Sequence, residues 1–156
     1  MTSKKVHGRH GSRWLALQGL YAWVLTNNSI PSIEQDLVAS DFQFNPQTVD
    51  IMPKISFDAP YVHELIHGIA ARKSTLDDLM RPHLDRPLED LNPVEYAVLL
   101  IAIYELSERP EIPYKVVINE AILLAKQFGA QDSHKFVNGV LDKTAKALRR
   151  RELASA

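Results

Sequence analysis

Apolar residues recur at intervals of three and four through most of the chain, which is the spacing of one face of an α-helix. Near the N-terminus, Trp14, Leu17, Leu20 and Val24 form one such stripe. Three later stripes have the members Val62, Leu65, Ile66 and Ile69; Val117, Ala121, Leu124 and Phe128; and Val137, Val140, Leu141 and Leu148. No segment alternates between apolar and polar residues as a half-buried strand does. The pattern predicts an all-α protein with about seven helices.

Residues that favour helix ends divide the first half of this pattern. The first helix is predicted to end near Asn27, and Ser32 with Gln35 three residues later is typical of a capping box that starts a short second helix. From residue 40 to 57 the helical spacing fails, and this segment is predicted to be a connector. Asp58 is a suitable N-cap for the helix that follows.

The second half carries stronger signals. A short helix is predicted over about 74–84. Asn92 followed by Pro93 predicts a sharp start for a helix that is apolar on nearly every side and is therefore central. Gly129 is predicted to end the next helix in a left-handed conformation, and the last helix is predicted over about 133–149.

Composition limits the class of protein. A chain of 156 residues, 46% apolar and 24% charged, is typical of a single globular domain. Because it has no cysteine, it has neither disulfides nor thiolate metal ligands. The longest nearly apolar run, Tyr96 to Leu106, contains Glu105 and is much shorter than the roughly 20 residues that span a bilayer. These features predict a cytoplasmic protein that does not insert into membranes.

Positive charge is concentrated at the two ends of the chain. Residues 1–33 contain four basic residues and no acidic one, and residues 133–156 contain six basic and two acidic residues. Since the whole chain has a net charge of -1, the residues between them carry -9. If both ends lie on one side of the fold, the molecule has a basic face for a polyanion and an acidic face for another partner. Two solvated basic tails are the alternative.

One segment matches a metalloprotease motif. His63-Glu64-Leu65-Ile66-His67 fits the pattern H-E-x-x-H, in which two histidines one helical turn apart bind zinc and the glutamate activates a water. On a helix whose core face is formed by Val62, Leu65, Ile66 and Ile69, however, both histidines fall roughly 100–140° from the centre of that face. The motif is therefore interpreted as part of an amphipathic surface, with a more distant carboxylate ligand left open. Without another catalytic motif, no enzymatic activity, cofactor or metal is predicted.

The basic N-terminus is a better functional candidate. Arg9 and Arg13 are one helical turn apart, with His10 beside them, and Gly8 and Gly11 favour a flexible basic arm over residues 1–12. Such an arm can follow a phosphate backbone with an affinity that depends on salt and not on sequence.

The start of the last helix supplies groups that could read bases. Recognition of single-stranded RNA needs an aromatic ring for stacking and polar groups for base edges. Phe136, with Lys135 beside it and Asp132 nearby, provides these groups. The alternative for Phe136 is core packing, because it adjoins Val137 and Val140.

Three stretches together resemble the NusB family of bacterial transcription antitermination factors. They are Ala16-Leu17-Gln18-Gly19-Leu20-Tyr21 in the first helix, Val94-Glu95 through Tyr104-Glu105-Leu106 in the central helix, and Pro113 to Lys143, which includes Asp132-Ser133-His134-Lys135-Phe136-Val137-Asn138-Gly139. The resemblance covers most of the chain outside 40–57. It implies two small packed helical bundles within a single RNA-binding domain, residues 1–156.

The resemblance also implies partners and site residues. Family members bind the boxA sequence of nascent single-stranded RNA together with NusE, a ribosomal protein, within an elongation complex of RNA polymerase and other Nus factors, notably on ribosomal RNA operons. By position, the implied RNA surface is Arg9, His10, Arg13, Asp132, Lys135 and Phe136. The implied NusE surface includes Tyr21 and Glu95.

Two other functions are also compatible with the sequence. The chain could be a helical protein–protein adaptor, self-associating or not, without RNA specificity. It also resembles the N-terminal domain of RNA-cytosine methyltransferases, but a chain that ends at Ala156 leaves no room for their cofactor-binding domain.

Overall fold

The computed structural model describes the backbone of residues 2–39, 56–150 and 152 and the side chains of residues 8–37, 56–150 and 152. Within these ranges the chain forms seven α-helices and no strand, which confirms the all-α prediction. The helices are α1 (Thr2–Thr26), α2 (Ile30–Ala39), α3 (Ala59–Ala71), α4 (Lys73–Met80), α5 (Pro93–Glu108), α6 (Tyr114–Phe128) and α7 (Ser133–Leu148). Short 3₁₀ turns at Arg81–His83 and Leu88–Asp90 connect α4 to α5. None of the described helices is long and apolar enough to cross a membrane.

Two compact units make up the chain, Met1–Ala70 and Ala71–Ala156. The first contains α1, α2 and almost all of α3, and the second contains α4 to α7. Of the predicted connector at 40–57, only Ser56 and Phe57 lie within the described residues.

In the first unit, α1 differs from its prediction in two ways. Its backbone is helical from Thr2, so residues 2–12 are the first turns of the helix rather than a separate arm. The helix is also buried on every face from Gly11 to Leu20, where the sequence predicted a single apolar stripe. Ser12 contacts the residue that precedes α3: its hydroxyl donates to the carbonyl of Gly8 (2.6 Å) and accepts from the backbone N–H of Asp58 (2.7 Å). Ser12 therefore ties α1 to the start of α3.

The helix ends in this unit follow local chemistry. Asn27, with a φ of 59°, ends α1 in the left-handed conformation that asparagine tolerates. The predicted cap at Ser32 is wrong, because α2 begins two residues earlier, at Ile30. Ser29 accepts from the Ser32 N–H at 3.4 Å instead. The Asp58 cap is confirmed by its bond from the N–H of Tyr61, also at 3.4 Å.

In the second unit, α5 is the central helix, as predicted. Every residue from Glu95 to Leu106 is buried, and α5 packs against α4, α6 and α7. The predicted Asn92 cap is confirmed, since its side chain accepts from the N–H of Val94 at 2.8 Å. The fourth helix is shorter than predicted, because α4 ends at Met80 and Pro82 lies in the 3₁₀ turn that follows.

Gly129 ends α6, but not in the predicted left-handed conformation. Its φ is -89° and its ψ is 178°, which is extended backbone open to any residue. The reason for glycine is space: a Cβ built at this position would lie 2.7 Å from the carbonyl oxygen of Ala125 and 2.7 Å from the Cβ of Ser133. The tight corner between α6 and α7 therefore requires the missing side chain.

Two glycine substitutions are expected to have opposite effects on stability. Gly129→Ala forces the α6–α7 corner apart and is expected to lower the free energy of unfolding by about 1–3 kcal/mol. Gly139→Ala, in the middle of α7 with nothing within 4 Å of its added Cβ, is the matched control. It is expected to raise the free energy of unfolding by about 0.5–1 kcal/mol, because alanine favours a helix over glycine. Urea denaturation followed by circular dichroism measures both, and shifts of the same sign would contradict this account of the corner.

Candidate nucleic-acid interface

One group of the predicted RNA residues lies on α1, in the first unit. Arg9 is half-buried, and its guanidinium carbon lies 5.1 Å from the centre of the Tyr61 ring, which is buried at the start of α3. This is a cation–π geometry, and it holds the cation at a fixed place on the surface. The bond from the Asp58 N–H to Ser12 joins α1 to the residue that precedes α3 in the same part of the first unit.

The three predicted residues of α1 differ in exposure. His10, like Arg9, is half-buried, but Arg13 is only 4% exposed. In this conformation the Arg13 side chain belongs to the interior of the protein, and a direct phosphate contact requires it to move. The structure therefore presents Arg9 and His10, rather than the pair Arg9 and Arg13, to a ligand.

The other group lies at the start of α7, in the second unit. Asp132 and Lys135 are both exposed, and the Lys135 Nζ lies 3.5 Å from an Asp132 carboxylate oxygen. Phe136 is half-buried, so the structure supports neither full core packing nor a free ring. This partial burial leaves part of an aromatic surface open beside one exposed cation and one exposed acceptor.

Arg86 is a member of this cluster that the sequence did not indicate. Its guanidinium carbon lies 4.3 Å from the centre of the Phe136 ring, and its Nε donates to Asp85 at 2.8 Å. The hydrogen bond from Arg86 holds the pKa of the Asp85 carboxyl below its usual value. Arg86 is separated from Phe136 by fifty residues and sits between α4 and α5, where no periodic pattern marks it. Guanidinium planes and aromatic rings both stack on bases, so Arg86 covers part of the Phe136 ring and offers a second stacking surface of its own.

Ser133 positions the start of α7. Its hydroxyl donates to the carboxylate of Glu95 at 2.6 Å and accepts from the Ala130 N–H at 3.0 Å. Glu95, predicted as a partner-binding residue, is only 9% exposed and is held by this bond. Tyr21, the other residue predicted for the partner surface, is half-buried on α1. The Glu95 carboxylate therefore connects the first turn of α5 to the α7 cluster.

Comparisons with known proteins agree with this architecture. The NusB family model matches residues 10–146. The transcription antitermination protein NusB of Photobacterium profundum is 46% identical over 150 residues, which cover 94% of this chain and 99% of that protein. The solved structure of T. maritima NusB has a TM-score of 0.72 at 30% identity and covers 94% of this chain and 96% of its own. A crystal structure of the antitermination factors NusB and NusE with double-stranded RNA matches in fold, with a TM-score of 0.72 at 24% identity over 89% of this chain and 96% of its own.

Proposed function

The chain belongs to the NusB family, and we propose that it is a transcription antitermination factor that binds boxA RNA together with NusE. The observation that carries the proposal is the cluster at the start of α7, where the Phe136 ring and the Arg86 guanidinium lie beside the exposed Lys135 and Asp132. It combines a stacking surface, a cation and a hydrogen-bond acceptor, which is what single-stranded RNA requires. The site of action is the cytoplasm, and the role is binding without catalysis.

Each proposed RNA residue has a distinct task. Lys135 and Arg9 neutralise phosphates, and His10 adds a hydrogen-bonding group beside Arg9. Asp132 accepts from an exocyclic amino group or ring N–H on a base edge, and Phe136 stacks a base. Arg13 is buried and supports the α1 surface from the interior. It contacts RNA directly only after its side chain turns outward.

The proposed NusE surface includes Tyr21 and Glu95, within a complex that also contains RNA polymerase and other Nus factors. NusE is a ribosomal protein and is expected to be basic, which suits the acidic middle of the chain. Because Glu95 accepts from Ser133 at the start of α7, a partner that engages the Glu95 carboxylate also acts on the helix that carries Lys135 and Phe136. This link predicts that NusE raises RNA affinity.

A titration of labelled boxA RNA, with and without NusE, tests the function. The chain is expected to bind boxA more tightly than a scrambled oligomer of the same length, and NusE is expected to widen the difference. Equal binding of both oligomers, unaffected by NusE, would remove the antitermination proposal.

That negative result would favour an adaptor role, which one observation supports independently. Val116 and Leu123 on α6 are 42% and 50% exposed and lie seven residues apart, which places them on the same helix face. An apolar pair on an exposed face is suited to docking another protein or a second copy of this chain. Sedimentation of the chain alone over a range of concentrations distinguishes self-association from a heterologous partner.

The salt dependence of binding is expected to locate one phosphate contact. Lys135→Ala removes an exposed cation and is expected to reduce the slope of log affinity against log salt by about 0.7. Lys115→Ala, at the far end of α6 from the α6–α7 corner, removes the same charge and is the control. If both substitutions change the slope equally, Lys135 contributes only to net charge and makes no specific contact.

A further inference from the structure

A cluster of two histidines and one glutamate lies on the first unit and includes none of the proposed RNA surface residues. The Nδ1 of His63 lies 2.8 Å from one carboxylate oxygen of Glu34, and the Nε2 of His67 lies 3.0 Å from the other. The two imidazole rings are stacked, with centroids 3.9 Å apart. One donor atom from each of the three residues falls within 4.8 Å of the other two. The two nitrogens face different oxygens of one carboxylate, and one donor atom from each residue lies close enough to the others for all three to bind the same ion.

The fold produces this convergence from two helices. In α3, the burial of Val62, Ile66 and Ile69 turns His63 and His67 to the solvent boundary, one helical turn apart. Glu34 comes from α2, where it follows the buried Ile33. The sequence left a distant carboxylate open, and α2 supplies it.

We propose that Glu34, His63 and His67 form a binding site for a divalent transition-metal ion, with Zn²⁺ as the best match. Two imidazoles and a carboxylate are a common set of protein ligands for zinc, and a water completes a tetrahedron. Zinc–nitrogen bonds of about 2.0–2.1 Å separate tetrahedral donors by roughly 3.3 Å, so donors that now lie within 4.8 Å of one another must move together by about 1.5 Å at most. Mg²⁺ and Ca²⁺ prefer oxygen donors and suit this site poorly.

The electrostatics of the cluster favour a cation. Burial raises the pKa of the Glu34 carboxyl, but hydrogen bonds from His67 and His63 outweigh burial and hold the pKa below its usual value. A metal ion placed among the three donor atoms would replace the two bridging hydrogens and set its positive charge against the Glu34 carboxylate.

The proposed site is for binding and not for hydrolysis. In the H-E-x-x-H motif the glutamate between the histidines activates water, but here the carboxylate that joins the histidines comes from Glu34, and Glu64 is not part of the cluster. A bound ion would connect α2 to α3, the helices that precede and follow residues 40–55 in the sequence. Its role is to stabilise the first unit, and it depends on neither RNA nor NusE.

Zinc titration of the tag-free protein, in competition with a chromogenic chelator, tests the site. The expected result is one ion per chain. Glu34→Gln, His63→Ala and His67→Ala are each expected to weaken binding by more than about 100-fold, since even outer-shell substitutions cost about 10–100-fold. His83→Ala removes an imidazole outside the cluster and is the matched control, with wild-type binding expected. Two results would show that zinc is held only by scattered surface groups. One is a wild-type zinc affinity no higher than that of His63→Ala, and the other is a loss of affinity in His83→Ala equal to the loss in the three cluster variants.

A second measurement on the unaltered chain covers the case in which the variants fold poorly. Co²⁺ added to the wild-type protein is expected to give the intense visible absorption of a four-coordinate site, and Zn²⁺ is expected to abolish it. Zn²⁺ but not Mg²⁺ is expected to raise the melting temperature. A Co²⁺ spectrum like that of the aqueous ion would mean that the histidines and Glu34 form only a hydrogen-bonded clasp.

Discussion

Replacing Arg149 with methionine is expected to lower the free energy of unfolding by about 2–5 kcal/mol, through polar groups left without partners. Arg149 follows the last residue of α7 and is 6% exposed. Its side chain caps another helix: Nε donates to the carbonyl of Leu106 (2.8 Å), and Nη1 donates to that of Ile112 (2.9 Å). Nη2 donates to the carbonyls of Glu105 (3.2 Å) and Arg109 (3.1 Å).

These carbonyls lie at and beyond the C-terminus of α5, where a helix has acceptors without backbone partners. The positive charge also lies at the negative end of the helix dipole. Methionine fills a similar volume but donates nothing, so the carbonyls of Leu106 and Ile112 lose these bonds in a buried place. The partly exposed Glu152, whose carboxylate lies 2.6 Å from Nη1, loses its ion pair but regains water.

Arg150→Met is the matched control, because Arg150 is the next residue and is exposed. It is expected to change the free energy of unfolding by less than about 0.5 kcal/mol. Urea denaturation of both variants, followed by circular dichroism, gives the comparison. Equal stability of the two variants would mean that water replaces Arg149 at the end of α5 without cost.

Local signals in the sequence were enough to predict the helices. Asn92 followed by Pro93 starts α5 where predicted, because the cap bond spans only two residues. The same kind of signal gave a wrong prediction at Ser32. Ser29 carries an equivalent hydroxyl and lies only two residues after Asn27, the left-handed residue that ends α1. Gly129 shows why the reason for a glycine is not predictable from the sequence. A left-handed backbone and a lack of space both favour glycine, and only the three-dimensional position of Ser133 shows that lack of space is the reason here.

The functional side chains were harder to predict because their partners are distant in sequence. Resemblance to the family indicated Phe136, but nothing local indicated Arg86 against its ring. The spacing of His63 and His67 was visible, whereas Glu34 becomes their neighbour only when α2 reaches α3. The burial of Arg13 was also not predictable from the sequence. A basic residue one turn from Arg9 is normally expected to be exposed, but α1 is buried on every face in this region.

Replacing Phe136 with alanine is expected to weaken boxA binding by about 1–3 kcal/mol, the usual contribution of one base stacked on an aromatic ring. Because Arg86 lies over the Phe136 ring, the base stacks either on the remaining exposed part of the ring or on the guanidinium itself. Arg86→Ala distinguishes these arrangements. It is expected to weaken binding nearly as much if the guanidinium carries the base, and much less if the ring does.

The half-buried position of Phe136 makes its packing role separable from its binding role. Phe136→Leu keeps an apolar side chain at this position but has no π face, whereas Phe136→Tyr keeps the ring. We expect the leucine variant to retain its melting temperature and lose boxA affinity, and the tyrosine variant to retain both. If the leucine variant binds boxA as the wild type does, no base stacks on the ring, and only the apolar volume that leucine retains matters at the start of α7.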